Sequence, residues 1–497
     1  MASAPNKPSC PPSLPADWSR CHSYIERKQR FCRQVKLPES NYCGYHHGHH
    51  HGATNGINDA SKRRIPCPFD PSHDILEDQV EKHKKVCPKL TRQKEQETRP
   101  YYRHNVNAGG HGEIGTTGRT AAGTSEWAQH IAVKVLEVYQ RLFNSAGAMA
   151  AQTTLGITGD EIQNAISLND LSKPELEGGL PEAIEHFRIK SGGARHLHQQ
   201  ASLIGHLRRI GVLLPCPNES STLMPEVEFL EMGAGRGMLG LLAAGVAAAC
   251  GAPKVRLVLV ERAGARSKAD TVLRKAKEST TYMKLRDVDW SRVQCDLAHV
   301  HVPSILSSQS GDCVAAVGDK RKEPTKSKQL VVVAKHLCGA GTDLALKSLQ
   351  GVDVDVCLMA TCCHGVCDWD LYIGRNFLIQ EFGDTPFGSP EFELLRKWST
   401  GTVANCNKAG GEHHHVQIDE RDPCSVTAMA RTLNLKCGIH GLGRACQRLL
   451  DGGRCDYMRK VLFPGTHRVE ICHYVDANVT PQNAIIVATK KDQLQHS

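Results

Sequence analysis

The chain has 497 residues, long enough for two to four domains, and its 40% apolar and 23% charged residues are typical of a globular protein. No run of 18 apolar residues occurs, so we expect no membrane span, and the Pro- and Ser-rich residues 1–15 lack the apolar core of a secretory signal. The 21 cysteines are therefore expected to be reduced or metal-bound, and the protein to be cytoplasmic, nuclear or both.

The net charge of +9 is concentrated near the N-terminus. Residues 1–103 contain 18 Lys and Arg against 11 Asp and Glu. A basic region attached to a nearly neutral remainder favours an acidic polymer such as nucleic acid as the partner. The alternative is a charged surface that is simply solvated.

Composition and periodicity divide the chain into six segments. They are a disordered tail (1–16), a first Cys- and His-rich module (17–48), a second one (61–90), a linker (91–125), a helical linker region (126–189) and an α/β domain (190–490).

The first Cys- and His-rich module spaces its ligands as C-x10-C-x10-C-x2-H. Zinc prefers four tetrahedral thiolate and imidazole ligands, and a metal would supply stability that so small a unit cannot obtain from its apolar core. His47 is an alternative fourth ligand. The predicted ligands are Cys21, Cys32, Cys43 and His46.

The second module has the spacing C-x5-H-x9-H-x3-C, which predicts a second zinc site. Its last two ligands are four residues apart, so they are expected on one face of a helix. The predicted ligands are Cys67, His73, His83 and Cys87.

The C-terminal segment alternates apolar strands with helices, which predicts an α/β fold with a mainly parallel, doubly wound, Rossmann-like sheet. Two polar insertions, 307–328 and 402–423, are expected to be surface loops. The expected strands are Val227–Met232, Val255–Val260, Arg292–Cys295, Leu330–Ala334, Val354–Ala360, and an antiparallel C-terminal edge of Arg468–Tyr474 and Asn483–Ala488.

A glycine-rich turn follows the first strand of this domain. Its glycines, Gly233, Gly235 and Gly237, would let the backbone approach a nucleotide-type ligand closely. Glu261 at the tip of the second strand would hydrogen-bond a ribose, and Asp296 after the third could face an adenine. Together these features favour S-adenosylmethionine as the cofactor.

The fourth and fifth strands end in residues suited to catalysis. Lys335 and His336 lie at the carboxyl end of a strand, where reacting groups gather in open α/β sheets, and either could act as a base toward a hydroxyl. The residues that follow the fifth strand are Cys362, Cys363, His364 and Cys367. Three interpretations of this group remain open: a third metal site, a substrate-binding loop, or buried thiols.

Taken together, these motifs resemble the eukaryotic tRNA 2′-O-methyltransferase family that acts on the fourth nucleotide of the acceptor stem. The resemblance covers residues 17–90 and 195–490. It rests on Cys43-Gly44-Tyr45-His46, Cys67-Pro68-Phe69-Asp70-Pro71-Ser72-His73, Gln200-Ala201-Ser202-Leu203-Ile204, Met232-Gly233-Ala234-Gly235-Arg236-Gly237, Lys335-His336-Leu337-Cys338-Gly339 and Cys362-Cys363-His364.

The resemblance implies a CCCH finger, a CHHC finger and a class I methyltransferase domain that methylates tRNA with S-adenosylmethionine. It places the cofactor loop on Gly233, Gly235 and Gly237, and we expect a monomer. The family often has a second histidine after the Cys-Cys pair, where this chain has Gly365. The alternatives are a base or protein acceptor, or a non-catalytic RNA-binding or splicing adaptor protein.

Overall fold

The computed structural model contains two compact units, one within residues 1–92 and one within 93–497. The predicted tail, all of residues 144–189 and the interiors of both polar insertions lie outside the described residues. The described residues are 19–25, 30–43, 46, 64–71, 73–109, 124–143, 194–212, 224–263, 268–278, 285–307, 328–402, 422–435, 438–475 and 479–491.

The first module is built around three buried cysteines. Two short strands, β1 (Tyr24–Ile25) and β2 (Arg30–Phe31), pair antiparallel. The buried cluster consists of cysteine side chains with Tyr42 packed against them, so there is little apolar core to hold the module. A bound metal would supply the missing stability.

The second module is a hairpin followed by helices. Strands β3 (Arg64–Pro66) and β4 (Asp74–Leu76) pair antiparallel, and α1 (Val80–Lys84) and α2 (Pro88–Glu97) follow. The expectation that His83 and Cys87 share a helix face is wrong, because α1 ends at Lys84. Pro88 disfavours helical geometry at the residue before it, so Cys87 lies in the connection between the two helices.

The second unit contains a seven-stranded sheet in the order β10-β11-β9-β8-β5-β6-β7. Strands β5 to β9 are parallel, and β11 and β10 pair antiparallel beside β9, which confirms the predicted mainly parallel sheet and its antiparallel edge. The strands are β5 (Glu226–Met232), β6 (Val255–Glu261), β7 (Asp289–Gln294), β8 (Lys328–Leu337), β9 (Val356–Thr361), β10 (His467–His473) and β11 (Ala484–Lys490).

Helices cover both faces of this sheet. Successive residues of β5 alternate between two separate buried clusters, with Phe229 in one and Leu230 in the other. The first cluster includes α4 (Ala194–Arg209), α5 (Met238–Ala249) and α6 (Lys268–Ala276), and the second includes α7 (Val302–Ser307) and α8 (Ala340–Ser348).

A third buried cluster consists mainly of helices. The amphipathic α3 (Ser125–Phe143) falls in the segment predicted as a helical linker, and its buried face packs with helices that come more than 200 residues later. Those helices are α9 (Arg375–Phe382), α10 (Ser389–Trp398), α11 (Val426–Thr432) and α12 (Gly438–Tyr457). Among the described residues, no helix is both long and apolar enough to span a membrane.

A short segment of the predicted linker packs beside the end of β7. Tyr102 pairs with Val300 in an antiparallel bridge. The side-chain amide of Asn107 is buried and donates to the carbonyl oxygens of Leu297 and Val300, both at 2.7 Å. Residues 101–108 are therefore part of the second unit, at the carboxyl end of the sheet.

Candidate functional site

The four predicted ligands of the first module converge. The Nδ1 atom of His46 lies 3.3 Å from the Sγ of Cys21 and 3.4 Å from that of Cys43. One donor atom from each of these residues and from Cys32 lies within 4.8 Å of every other. This is the spacing expected of four ligands around one tetrahedral ion.

The second module brings its four ligands together in the same way, within 4.8 Å of one another. The Sγ of Cys67 lies 3.3 Å from the Nε2 of His83 and 3.9 Å from the Sγ of Cys87. The Nε2 atoms of His73 and His83 are 3.0 Å apart. Imidazole nitrogens and thiols that converge on one point form a donor set suited to zinc.

The glycine turn joins β5 to α5 in left-handed geometry, with φ of 62° at Gly233 and 67° at Gly237. A Cβ at Gly233 would collide with the side chain of Leu337 at the end of β8, so glycine is required there by space as well as by conformation. Arg292 of β7 donates to the carbonyl of Gly235 at 3.2 Å, which fixes the turn from a strand two positions away in the sheet.

Glu231 lies beneath this turn, in the interior. It is 4% exposed, and one carboxylate oxygen accepts the backbone N–H of Gly240 at 2.9 Å. Burial raises the pKa of Glu231 to about 7, although the Gly240 hydrogen bond and the charges of Arg292 and Lys335 oppose the shift. This carboxyl therefore titrates near neutral pH.

Glu261 occupies the tip of β6, next to the glycine turn. Its carboxylate accepts the backbone N–H groups of Gly235 at 2.8 Å and of Ala263 at 3.0 Å. The carboxylate is thus held against the turn. An ionised carboxylate has about four lone-pair positions, so about two remain for hydroxyl groups of a ligand.

Asp296 follows β7 and is partly exposed. Its Oδ1 accepts the backbone N–H of Ala298 at 2.9 Å, and its Oδ2 lies 3.9 Å from the guanidinium of Arg262. The strand order puts β5, β6 and β7 side by side, so the glycine turn, Glu261 and Asp296 follow one another along the same edge of the sheet.

The predicted catalytic residues, Lys335 and His336, lie on the opposite side of the glycine turn from Glu261 and Asp296. Strand β8 pairs with β5, and its register with β9 shifts between Lys335 and Leu337. His336 is the extra residue of this bulge, has φ of 65° and is exposed. Bulges next to functional sites re-aim a side chain, and this one turns an imidazole out of the strand.

A buried network of charges supports the end of β9 and the helix that follows β8. His364 is 2% exposed and its Nε2 lies 2.8 Å from the Oδ1 of Asp451 on α12. Arg454, one turn later, donates to Asp451 at 3.1 Å and to Asp343 of α8 at 2.8 Å. Thr361 at the end of β9 donates to the other oxygen of Asp451 at 2.9 Å. The network ties α12 to α8 and to the end of β9 with the turn that follows it.

A third group of possible metal ligands involves the Cys-Cys motif, whose role the sequence did not decide. The Sγ atoms of Cys338, Cys362 and Cys363 lie within 4.8 Å of one another. Cys367, which the sequence grouped with the motif, instead accepts a hydrogen bond from the guanidinium of Arg454 at 3.2 Å. The remaining member of that group, His364, belongs to the charge network.

The sequence reading missed several residues that shape this site. Arg292, Asp343, Asp451 and Arg454 meet their partners only through the fold, because each pairs with residues far away in the chain. Glu231 carried a local signal: an acidic residue in an otherwise apolar strand, two positions before a glycine turn, cannot be a simple core residue.

Comparison with known proteins gives three matches to family models. The model described as "Methyltransferase TRM13" matches residues 198–489. The model described as "CCCH zinc finger in TRM13 protein" matches residues 19–47, and that described as "U11-48K-like CHHC zinc finger" matches residues 64–88. The last two coincide with the two groups of converging cysteines and histidines.

Several curated relatives match along nearly their whole length. The "tRNA:m(4)X modification enzyme TRM13" of Saccharomyces cerevisiae is 24% identical over an alignment that covers 98% of this chain and 99% of the relative. Its namesake in Vanderwaltozyma polyspora is 24% identical over 95% of this chain and 98% of the relative. The human "tRNA:m(4)X modification enzyme TRM13 homolog" is 24% identical over 98% of each. The chain, with its two zinc-finger modules and its mainly parallel sheet, belongs to the TRM13 methyltransferase family.

Proposed function

We propose that this chain transfers the methyl group of S-adenosylmethionine to a ribose 2′-hydroxyl of tRNA, at the fourth nucleotide of the acceptor stem. The observation that carries the proposal is the arrangement at one sheet edge. A glycine turn with a carboxylate beside it lies next to a strand whose bulge exposes an imidazole, His336. The names of the relatives supply tRNA as the acceptor class, and the sequence resemblance supplies the ribose position.

The residues present fit S-adenosylmethionine. A Rossmann-like class I methyltransferase domain would hold it along the ends of β5, β6 and β7, and within the glycine turn a Cβ at Gly235 would meet no protein atom within 4 Å, so the backbone there is open to a ligand. Glu261 keeps acceptor capacity for the ribose hydroxyls, and Asp296 lies one strand further, where the adenine would be. Gly235 and Gly237 complete the backbone cradle.

When bound, the cofactor supplies an electrophilic methyl group, and the protein must bring a hydroxyl in line with it. His336 is exposed by its bulge and takes the role of base toward the ribose hydroxyl. Lys335 lies in β8, where its charge acts on the buried Glu231 as well as on this edge of the sheet. We assign Lys335 to binding and orienting the acceptor.

We further propose that each finger module binds one zinc ion and contacts the RNA. The cysteine and histidine ligands of each module converge to within 4.8 Å, and the region is basic. The positive charges of Lys and Arg attract the phosphates of RNA whatever its sequence. We therefore assign affinity for RNA to the fingers and selection of the nucleotide to the catalytic domain. A 2′-hydroxyl target restricts the substrate to RNA. The active species is expected to be a monomer in the cytoplasm, the nucleus or both.

The deciding experiment uses zinc-loaded full-length protein, methyl-labelled S-adenosylmethionine and unmodified tRNA. Nuclease digestion and nucleoside mass spectrometry should find the label in a 2′-O-methylnucleoside, within the fragment that contains acceptor-stem nucleotide four. His336→Ala should lower kcat by about 10²–10⁴-fold, the contribution of a general base, with unchanged cofactor affinity. His440→Ala is the matched control, because His440 is an exposed histidine at the start of α12.

The alternative outcomes are distinct. A label on a base would keep the methyltransferase class and overturn the ribose acceptor. A label in protein would overturn RNA as substrate. Absence of both transfer and cofactor binding would favour an RNA-binding adaptor. Equal loss of activity in the His336→Ala and His440→Ala variants would contradict the role given to His336.

A further inference from the structure

Three cysteine sulfur atoms meet where β8 and β9 end. The Sγ of Cys338 lies 3.2 Å from the Sγ of Cys363 and 3.9 Å from that of Cys362. The two loops come from neighbouring parallel strands, so their carboxyl ends are adjacent. Cys338 is exposed, Cys363 is partly exposed and Cys362 is buried, so the group runs from the interior to the surface.

The backbone at Cys363 adopts an unfavourable conformation. It has φ of 31° and ψ of 43°, in the left-handed region that residues other than glycine rarely adopt. Such strain costs on the order of 1–3 kcal/mol and persists where the surroundings require it, often at ligand sites. Gly339 takes its positive φ of 58° without this strain, and a Cβ there would strike the carbonyl of Val366, so the two loops touch.

The geometry matches that of the two finger modules. Within the part of the chain that the structure describes, three groups of His, Cys, Asp and Glu side chains converge to within 4.8 Å; two of them are the finger sites and the third is this one. The neighbouring thiol of Cys367 does not join, because Arg454 bonds to it. The convergence is thus specific to three of the four nearby cysteines.

We propose that Cys338, Cys362 and Cys363 bind a third zinc ion, whose fourth coordination position is open to solvent. Three thiolates are soft ligands that select zinc over hard cations such as Mg²⁺. Structural zinc sites use four protein ligands, whereas sites with three keep one position for water or substrate. Each thiol releases its proton to solvent as its bond to zinc forms. The exposed position of Cys338 puts the open position on the solvent side.

This ion would lie on the β8 side of the glycine turn, at the same edge of the sheet. The proposal does not depend on the proposed methyl transfer, because it follows from ligand geometry alone. It gives a role to Cys362 and Cys363, which the charge network does not include. His364 serves that network through Asp451, while the thiols on its N-terminal side serve the metal.

The test is metal content per chain in the intact, reduced protein, measured by mass spectrometry after exhaustive dialysis. We expect three zinc ions in the parent protein and two in Cys338→Ser, where the exposed side chain can change without disturbing the core. Cys363→Ser should also retain two. Cys250→Ser is the matched control, since Cys250 is a partly exposed cysteine at the end of α5, and it should retain three. Thermal unfolding and cofactor binding verify the fold of each variant.

Cobalt gives a second readout that does not involve activity. In protein reloaded with Co²⁺, the thiolate-to-cobalt absorption should fall by about three-eighths in Cys338→Ser, because three of the eight thiolate ligands at the three sites are lost with the ion. Two zinc ions in the parent protein would overturn the proposal, as would three in Cys338→Ser. A disulfide between Cys338 and Cys363 in protein prepared without reductant, with no third ion, would also overturn it.

Discussion

Glu231 and Asp451 are both fully buried carboxyl groups, yet their pKa values shift in opposite directions. Around Glu231 burial dominates and raises the pKa to about 7. Burial acts in the same sense on Asp451, but His364, Arg454 and Arg448 outweigh it and bring the pKa well below its ordinary value. At neutral pH Asp451 is therefore ionised and paired, while Glu231 is divided between its neutral and charged forms.

The raised pKa of Glu231 makes stability pH-dependent. Its folded-state pKa lies above the unfolded value of 4.5, so the folded state is penalised as pH rises from about 4.5 through about 7. A shift of this size corresponds to about 3 kcal/mol above pH 7. We expect Glu231→Gln to remove this loss while retaining the Gly240 hydrogen bond. Urea denaturation at pH 5 and pH 8, without cofactor, measures it; the same pH slope in parent and variant would contradict the assignment.

Two constraints favour glycine at position 233: the left-handed backbone conformation and the lack of space for a side chain. Their costs can be measured separately. Gly251, just after α5, also has a positive φ, 88°, and the hydrogen bonds that close the helix end are those of a left-handed C-terminal cap, but a Cβ there would meet nothing within 4 Å. Gly251→Ala should therefore cost only the left-handed strain, about 1 kcal/mol. Gly233→Ala adds a collision with Leu337 and should cost at least about 1 kcal/mol more, as in other overpacked sites. Thermal unfolding compares them, and equal costs would mean that the turn relaxes without resistance.

The role of a residue could be predicted from the sequence in two cases: when its partners are close in the chain, and when the residue itself follows a regular strand. The eight finger ligands are separated by short spacings, and the structure brings each set together. The pair His364–Asp451 is 87 residues apart, and an Asp in a helix is normally solvated. No spacing rule connects them. His336 was located correctly at a strand end, but its exposure depends on a bulge that has no sequence signature.

At the scale of elements, α12 connects the helical cluster to the candidate catalytic edge of the sheet. It packs with α3 and α10 in the helical cluster, and its later residues Asp451 and Arg454 reach the end of β9 and the helix α8 that follows β8. Because these charges are 0–1% exposed, each depends on its partner to offset the cost of burial. The helix thereby fixes α8 and the segment after β9, next to Cys362 and Cys363.

Removing one charge from this network should be costly. Asp451→Asn removes the counter-charge of His364 and one of the two carboxylates that pair with Arg454, and we expect a loss of about 3 kcal/mol in the free energy of unfolding. Asp456→Asn, on the same helix, breaks only the pair with Lys460 and should cost less than about 1 kcal/mol. Chemical denaturation of both variants measures the difference. A small effect in Asp451→Asn would show that Asp343 alone compensates the charge of Arg454.

The elements themselves were predictable where burial is strong. β5 and β6 are almost fully buried, and the predicted bounds differ from the observed ones by a single residue. β7 begins at Asp289, three residues before the predicted start at Arg292, because its outer residues are polar or exposed at the sheet edge. The periodicity of α3 indicated a buried face correctly. It carried no information about which helices would cover that face.

At the scale of the molecule, the two compact units have separate sources of stability. The first has only two small buried clusters around its candidate metal ligands, whereas the second has extended apolar cores on both faces of a sheet. A defect in a finger should therefore stay within the first unit. The converse holds for defects in the cores of the sheet.

Cys87→Ser tests this independence. Loss of one ligand should unfold the second finger, so that protease cleaves within residues 64–88, while the thermal midpoint of the second unit changes by no more than about 2 °C. S-adenosylmethionine affinity should be unchanged and tRNA affinity reduced. The control is Thr91→Ser, a conservative change at an exposed position of α2 that leaves all four ligands in place. A large fall in the midpoint of the second unit would contradict independent stability.

The distance in sequence between α3 and its partners also affects biosynthesis. The apolar side of α3, with Ile131, Val135 and Tyr139 at 0–1% exposure, is covered by helices that end near residue 457. At about 5–20 residues per second, the ribosome needs on the order of tens of seconds to deliver them after α3 has emerged. During that interval the nascent chain presents a bare apolar helix. Chaperone engagement should therefore begin with α3 and end only when α12 has been synthesised.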